Sequence, residues 1–147
     1  MTKDVLLSIR GLQFEVEPEG DKIETITPAE YYLKNDGHYI LYDELAEGFT
    51  ENTRNIIHIK NNELSIVKRG VINAQMLFSQ DKKNMTSYMT PFGSIMIGID
   101  TRKVDVAETE DSIKVHIDYS LELNYEHYAD CKIDMNIWSK ETGGMLF

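Results

Sequence analysis

The chain has 147 residues, of which 41% are apolar and 27% are charged, as is usual for soluble globular proteins large enough to bury a core. Its formal net charge of −10 disfavours nucleic acid and anionic membranes as partners, because like charges repel. The one cysteine, Cys131, excludes a disulfide within the chain and is typical of the reducing cytoplasm. No stretch approaches the ~20 apolar residues of a membrane helix, and the N-terminal segment lacks a signal peptide's apolar core. We therefore expect a cytoplasmic protein with a single domain over residues 1–147.

Apolar and polar residues alternate along most of the chain, which predicts strands rather than helices. The first apolar run changes phase at Gly11, so residues 3–16 are predicted to form one strand with a bulge there. Two separate strands are the alternative. A turn is predicted at 18–21. The next strand, 22–34, contains Pro28, which predicts a bulge, a strand end or a sheet edge because proline cannot donate to a ladder.

Two turns containing asparagine predict hairpins in the next part of the chain. Asn35–Asp36–Gly37 leads into a return strand over His38–Glu44. Asn61–Asn62 joins a strand over 53–60 to a strand over 64–68. Between these hairpins, residues 45–51 are predicted as a loop or a single helical turn.

Gly70 interrupts the alternation, which resumes over Ile72–Phe78. The polar tract Ser79–Asn84 is predicted as a loop tip. The stretch Thr86–Asp100 then carries two strand-like runs around a Pro91–Phe92–Gly93 hinge, which we interpret as a corner between strands, with a flexible lid as the alternative. A turn is predicted at Thr101–Arg102.

The clearest strand pattern lies in the last third of the chain. After a turn at Glu110–Asp111, apolar residues alternate regularly over Ile113–Leu123, which predicts one buried and one solvated face. A bend at Asn124–Tyr128 precedes the last strand, Ala129–Ile137, and the tail Lys140–Phe147 is predicted to be loose or docked locally.

These elements give about eight to ten antiparallel strands joined by short turns. A long sheet needs its edges paired or covered, and closure into an up-and-down β-barrel does this. The prediction is an all-β fold with one antiparallel barrel, and a two-sheet sandwich is the alternative.

No pattern of catalytic or metal-binding residues stands out. The four histidines have no metal-ligand spacing, Cys131 lies on the apolar side of its strand, and there is neither a nucleophile elbow nor a phosphate-binding glycine loop. We therefore predict no metal and no cofactor. Acidic clusters are interpreted as solvated turns.

Short motifs keep their order over nearly the whole chain. They are Asp36-Gly37-x-Tyr39-Ile40-x-Tyr42-x-Glu44, Gly48, Gly70, Met76-x-Phe78, Thr86-x-Tyr88-x-Thr90-Pro91-Phe92-Gly93, Met96, Thr101 and Tyr119-x-Leu121-x-Leu123-Asn124. Together they resemble the YwiB-like family of bacterial proteins of unknown function. The resemblance implies a calycin-like (lipocalin-type) barrel and no particular reaction, cofactor or substrate. A basic residue precedes Gly70 in the pattern, and both Lys68 and Arg69 are candidates for it.

The strand order is expected to gather polar side chains at a barrel mouth, where they would suit a small polar or anionic ligand. The candidate ligand contacts are Tyr42, Glu44, Lys68, Arg69, Tyr88 and Thr90. Alternatively, the tyrosines fill the barrel with their hydroxyl groups at its rim, and of the two we favour the filled barrel.

Three functional hypotheses follow. The first is a non-enzymatic module that binds a small molecule or a protein partner. The second is an enzyme acting on a small polar substrate at the mouth, with Tyr88, a basic residue and Glu44. The third is a homodimer formed through an apolar outer face that includes Ile56, Val67 and Met96.

Overall fold

The computed structural model of the protein describes residues 1–11, 24–45 and 48–140. The secondary-structure elements in these ranges are ten strands, which confirms the all-β prediction. They are β1 (Asp4–Arg10), β2 (Glu24–Lys34), β3 (Gly37–Leu45), β4 (Asn52–Lys60), β5 (Glu63–Arg69), β6 (Ala74–Ser79), β7 (Lys82–Thr90), β8 (Gly93–Glu108), β9 (Ser112–Leu123) and β10 (Glu126–Ser139).

The strands form one antiparallel sheet in the order β6-β5-β4-β3-β2-β1-β10-β9-β8-β7. Each neighbour in the sheet is therefore also a neighbour in the chain, except that β1 pairs with β10. The free edges of β6 and β7 meet at Asn73 and Met89, whose backbone N–H groups each donate to the other's carbonyl at 2.9 Å. The result is a nearly closed up-and-down barrel, which confirms the predicted architecture over the sandwich.

Both predicted asparagine turns form tight hairpins. The φ angles are 52° and 61° at Asn35 and Asp36, and 53° and 56° at Asn61 and Asn62. This left-handed conformation is one that Asn and Asp tolerate, and two successive such residues give the turn that matches the twist of paired strands.

Pro28 lies in the part of β2 that pairs only with β1 among the described residues. It faces Leu6, whereas the ladder to β3 begins at Glu30. The predicted local edge at Pro28 is therefore confirmed. The predictions for 12–16, 18–21, 46–47 and 141–147 lie outside the described residues.

Two predictions, one of a loop and one of a bend, are wrong because both segments are shorter than predicted. The Ser79–Asn84 tract is not a loop tip, because β7 already begins at Lys82 and only two residues turn, with Asp81 at φ 63°. The Asn124–Tyr128 bend likewise shrinks to a two-residue turn, and β10 begins at Glu126. Polar residues belong to these strands because much of β7 and the start of β10 are exposed.

The predicted turn at Thr101–Arg102 is also wrong, because β8 runs through it without interruption. The register against β9 shifts between Thr101 and Lys103, so Arg102 is the extra residue of a bulge. Buried positions before the bulge include Ile99 and Thr101, and Val104 is buried after it. The bulge therefore absorbs the change of phase that the sequence suggested was a turn.

Buried side chains from the strands fill the middle of the barrel. Of the alternating residues predicted to be buried on β9, those from Ile113 to Leu121 are in this core, and Leu123 is only partly buried against it. Phe78 of β6 meets Tyr119 of β9 edge to face, with ring centroids 5.1 Å apart. Such a pair adds about 0.5–1.5 kcal/mol to the free energy of burial.

Candidate functional site

A buried lysine lies inside one end of the barrel. Lys68 of β5 faces Asn55 of β4 directly across their ladder. The Lys68 Nζ donates to Asn55 Oδ1 at 2.8 Å, and both side chains are buried. A buried ammonium is unfavourable unless polar partners replace its water, so its partners define the chemistry of this end.

The side chain of Asn55 is held in the orientation that suits the lysine. Its Nδ2 donates to the backbone oxygen of Thr53 at 3.3 Å, which leaves Oδ1 to accept from Lys68. The hydroxyl oxygen of Thr53 accepts in turn from the N–H of Ile72 at 3.3 Å. The Asn55–Lys68 contact is therefore fixed by a second layer of hydrogen bonds.

The charged partner of Lys68 is Glu44, at the end of β3. The Nζ donates to Glu44 Oε1 at 3.1 Å. The side chain of Lys68 is 5% exposed and that of Glu44 is 45% exposed. The ion pair therefore reaches from the barrel interior to solvent.

Two tyrosines lie in the electrostatic field of Glu44. Burial and then the Glu44 carboxylate raise the pKa of Tyr88 to about 12. Burial, Glu44 and then Tyr88 raise the pKa of Tyr42 above its usual range. Both phenols are therefore neutral near pH 7 and keep their O–H groups. We call Tyr42, Glu44, Asn55, Lys68 and Tyr88 the lysine site.

Arg69 and Thr90, which were also predicted as ligand contacts, are not part of this cluster. Arg69 is exposed and follows Lys68, so strand alternation turns it to the outside, opposite Arg54. The hydroxyl of Thr90 accepts from Phe92 N–H at 3.1 Å and donates to Gly93 O at 2.9 Å. It thus ties the turn between β7 and β8. Ligand contact by all six residues remains a prediction.

An open groove of about 530 Å³, which we call the end groove, lies at the same end of the barrel. Strands β5 and β7 of the lysine site lead towards this groove. Gly70 lies two residues after Lys68, and Thr90 lies two residues after Tyr88. Gly70 has a φ of 151°, and a Cβ there would meet the backbone of Asn52. The groove is lined by Gly48, Phe49, Thr50, Glu51, Gly70, Val71, Asn73, Met89, Thr90 and Pro91.

A second polar chain, missed in the sequence, lies at the opposite end of the barrel. His38 Nδ1 is 2.6 Å from the hydroxyl of Tyr31, and His38 Nε2 is 2.7 Å from Glu108 Oε1. We call these three residues the histidine chain. His38 shares the parity of Ile40, which was a usable signal. Because a turn was predicted at Thr101–Arg102, the sequence did not show which side of the sheet Glu108 would face.

The described residues contain no group of three or more His, Cys, Asp or Glu side chains arranged to hold a metal ion. Cys131 is half-buried rather than fully buried as expected from its parity. Within the same ranges, the chain has no helix long and apolar enough to cross a membrane.

Comparison with known proteins identifies the family of this chain. The sequence profile described as a domain of unknown function, DUF1934, matches residues 7–135. The chain belongs to the DUF1934 family. This DUF1934 protein is also similar to the crystal structure of the ywiB protein from Bacillus subtilis, with a TM-score of 0.79 and 17% identity over 93% of this chain and 92% of that one. At that identity the likeness supports the fold alone. No curated protein matches the chain.

Proposed function

We propose that this DUF1934 protein is a non-enzymatic binding module that holds a small polar or anionic ligand at the lysine site. The observation that carries the proposal is the buried ammonium of Lys68, two residues before Gly70 in the wall of an open groove. Ligand sites of this kind combine a largely apolar cleft with a few fixed polar groups. Here the fixed groups are one ammonium and two neutral phenols, which can all donate to an anion.

The alternative is an enzyme that acts on a small polar substrate at the same mouth. It is favoured by the electrostatic coupling of Tyr88 to Glu44. A general acid or base works best with a pKa near the working pH, however, and the pKa of Tyr88 is raised away from neutrality to about 12. This direction favours binding over proton transfer.

The proposal also covers the fold relationship of the protein, its compartment and its partners. A calycin-like relationship is consistent with the up-and-down barrel, and the cytoplasm is consistent with a single cysteine. The net charge of −10 argues against nucleic acid and anionic membranes. A protein partner or a second copy of the chain would use the outer face where Ile56 pairs with Val67.

Thermal unfolding in the presence of metabolite pools tests the proposal. A ligand at 100 times its dissociation constant adds about 2.7 kcal/mol to the free energy of unfolding. We expect at least one pool to stabilise the wild type and Arg69→Met, but not Lys68→Met. These neighbouring cations lie on opposite faces of β5, so the pair separates the site from general charge.

Absence of any shift with the wild type, or an equal shift with Lys68→Met, would contradict the proposal. Mass spectrometry of each active pool after incubation separates the two functions. Chemical conversion of a component that depends on Tyr88 would favour the enzyme, whereas an unchanged component favours the binding module.

A further inference from the structure

We propose that Glu44 is an internal stand-in for the ligand, and that the ligand is a small monocarboxylate that displaces Glu44 from Lys68. The inference rests on the proposed function and deepens it by naming the chemical class of the ligand. It follows from the unequal way in which the two partners of Lys68 are held.

One partner of Lys68 is fixed. Asn55 is fully buried, its amide is anchored to Thr53, and its contact with Nζ is the shorter one at 2.8 Å. It can accept a hydrogen bond from the ammonium but cannot neutralise its charge. The lysine therefore needs an anion at this position in every state in which it stays buried.

The other partner can be exchanged. Glu44 contacts Nζ through one oxygen at 3.1 Å, and its side chain is 45% exposed, near the end of β3. Rotation away from Lys68 would move its carboxylate from partial to full hydration, which carries little penalty for a surface group. An incoming anion would then take its place on the ammonium.

The charge of the site favours a carboxylate as that anion. Lys68 supplies one positive charge, and one carboxylate among the described residues pairs with it. A ligand carboxylate preserves this balance, whereas a phosphate monoester brings roughly −1.5 to −2 charges into the field of the remaining acidic side chain. The Glu44 carboxylate acts electrostatically on Tyr42 and Tyr88, so an anion in its place would lie near two neutral phenols.

The end groove offers room for the body of such a ligand. Its volume of about 530 Å³ falls within the usual range for small-molecule sites, roughly 300–1,000 Å³. Phe49, Val71, Met89 and Pro91 give part of its wall an apolar character. A carboxylate on a compact apolar ring matches this combination, so benzoate is a suitable probe.

Calorimetric titration with benzoate, benzamide and phenyl phosphate tests the inference. We expect Glu44→Gln to bind benzoate about tenfold more tightly than the wild type, because the competing side chain no longer holds Lys68. The matched control is Asp43→Asn, which removes the same charge from the exposed neighbour paired with Arg54. It should bind benzoate within about twofold of the wild type, and Lys68→Met should not bind it.

The neutral amide and the phosphate ester complete the design. Benzamide should bind no more tightly to Glu44→Gln than to the wild type, and phenyl phosphate should bind more weakly than benzoate. Circular dichroism and melting curves establish that each variant is folded. Glu44→Ala replaces Glu44→Gln if the latter is not.

Equal or weaker binding of benzoate to both Glu44 variants would overturn the inference. So would failure of benzoate to bind while another anion stabilises the wild type but not Lys68→Met, and the proposed function would then survive. If no anionic probe or pool acts on the wild type, both proposals fail.

Discussion

The amide oxygen of Asn55 and the ammonium of Lys68 face each other across two neighbouring strands, 2.8 Å apart inside the barrel. Both side chains are buried, so Asn55 Oδ1 depends on Lys68 for its hydrogen bond, and the ammonium shares its hydrogen bonds between Asn55 and Glu44. This mutual dependence makes the pair sensitive to loss of one partner and tolerant of loss of both.

The first prediction concerns this pair. Asn55→Leu should lower the free energy of unfolding by about 1–3 kcal/mol, because it leaves a buried donor of Lys68 unsatisfied. The double variant Asn55→Leu/Lys68→Met should lose less than the sum of the single variants. Urea unfolding of the four proteins measures the coupling, and strictly additive losses would show that the pair does not interact.

The second prediction concerns the histidine chain. His38→Leu removes both hydrogen bonds and takes the His38 partner from the part-buried hydroxyl of Tyr31. We expect a loss of about 1–3 kcal/mol in the free energy of unfolding. His127→Leu is the control, since His127 is exposed and its contact with Asp130 is long at 3.4 Å. A loss of the same size in both variants would argue against a special role for the chain.

The third prediction is a dependence of stability on pH. His116 Nδ1 lies 2.6 Å from Asp134 Oδ1, and this hydrogen bond is the main cause that raises the pKa of His116 above its usual 6.5. Asp118 also bonds the ring, and Asp105 faces it from β8. The folded state thus binds the proton more tightly than the unfolded state.

The contribution of His116 is therefore complete below pH 6.5 and is lost as the pH rises through the folded pKa. We expect the difference in unfolding free energy between the wild type and His116→Gln to be larger at about pH 5.5 than at about pH 9. Denaturant melts at both values measure it. A difference that grows towards high pH would mean that the sign is wrong.

The fourth prediction concerns the bulge in β8. Deletion of Arg102 removes the extra residue and leaves Lys103 opposite Asp118 and Val104 opposite Ile117, so the later residues keep their faces and the variant should still fold. Arg102→Ala keeps the bulge and removes only an exposed ion pair with Asp130, and should change stability by about 0.5 kcal/mol or less. Near-UV circular dichroism and melting curves test both variants. A deletion variant that does not fold would contradict the assignment of Arg102 as the extra residue.

Alternation along the sequence is local, and it predicted the strands, their buried faces and the two asparagine hairpins. Lys68 could have been placed inside by the same rule, because it continues the parity of Leu64 and Ile66. A bulge reverses the alternation of inward and outward residues, so the position of Glu108, beyond the bulge in β8, was not predicted. The contact of His38 with Glu108 joins strands that are distant in the sheet, and it depends on how the barrel closes rather than on any local pattern.

The most direct measurement of the central claim is the nitrogen NMR signal of the Lys68 ammonium during a titration with benzoate. The signal is assigned by its loss in Lys68→Met. The displacement of Glu44 by a ligand carboxylate predicts that the signal shifts and saturates together with the binding isotherm in the wild type and in Arg69→Met. A signal that stays unchanged while benzoate or another anionic ligand binds and stabilises the protein would contradict it.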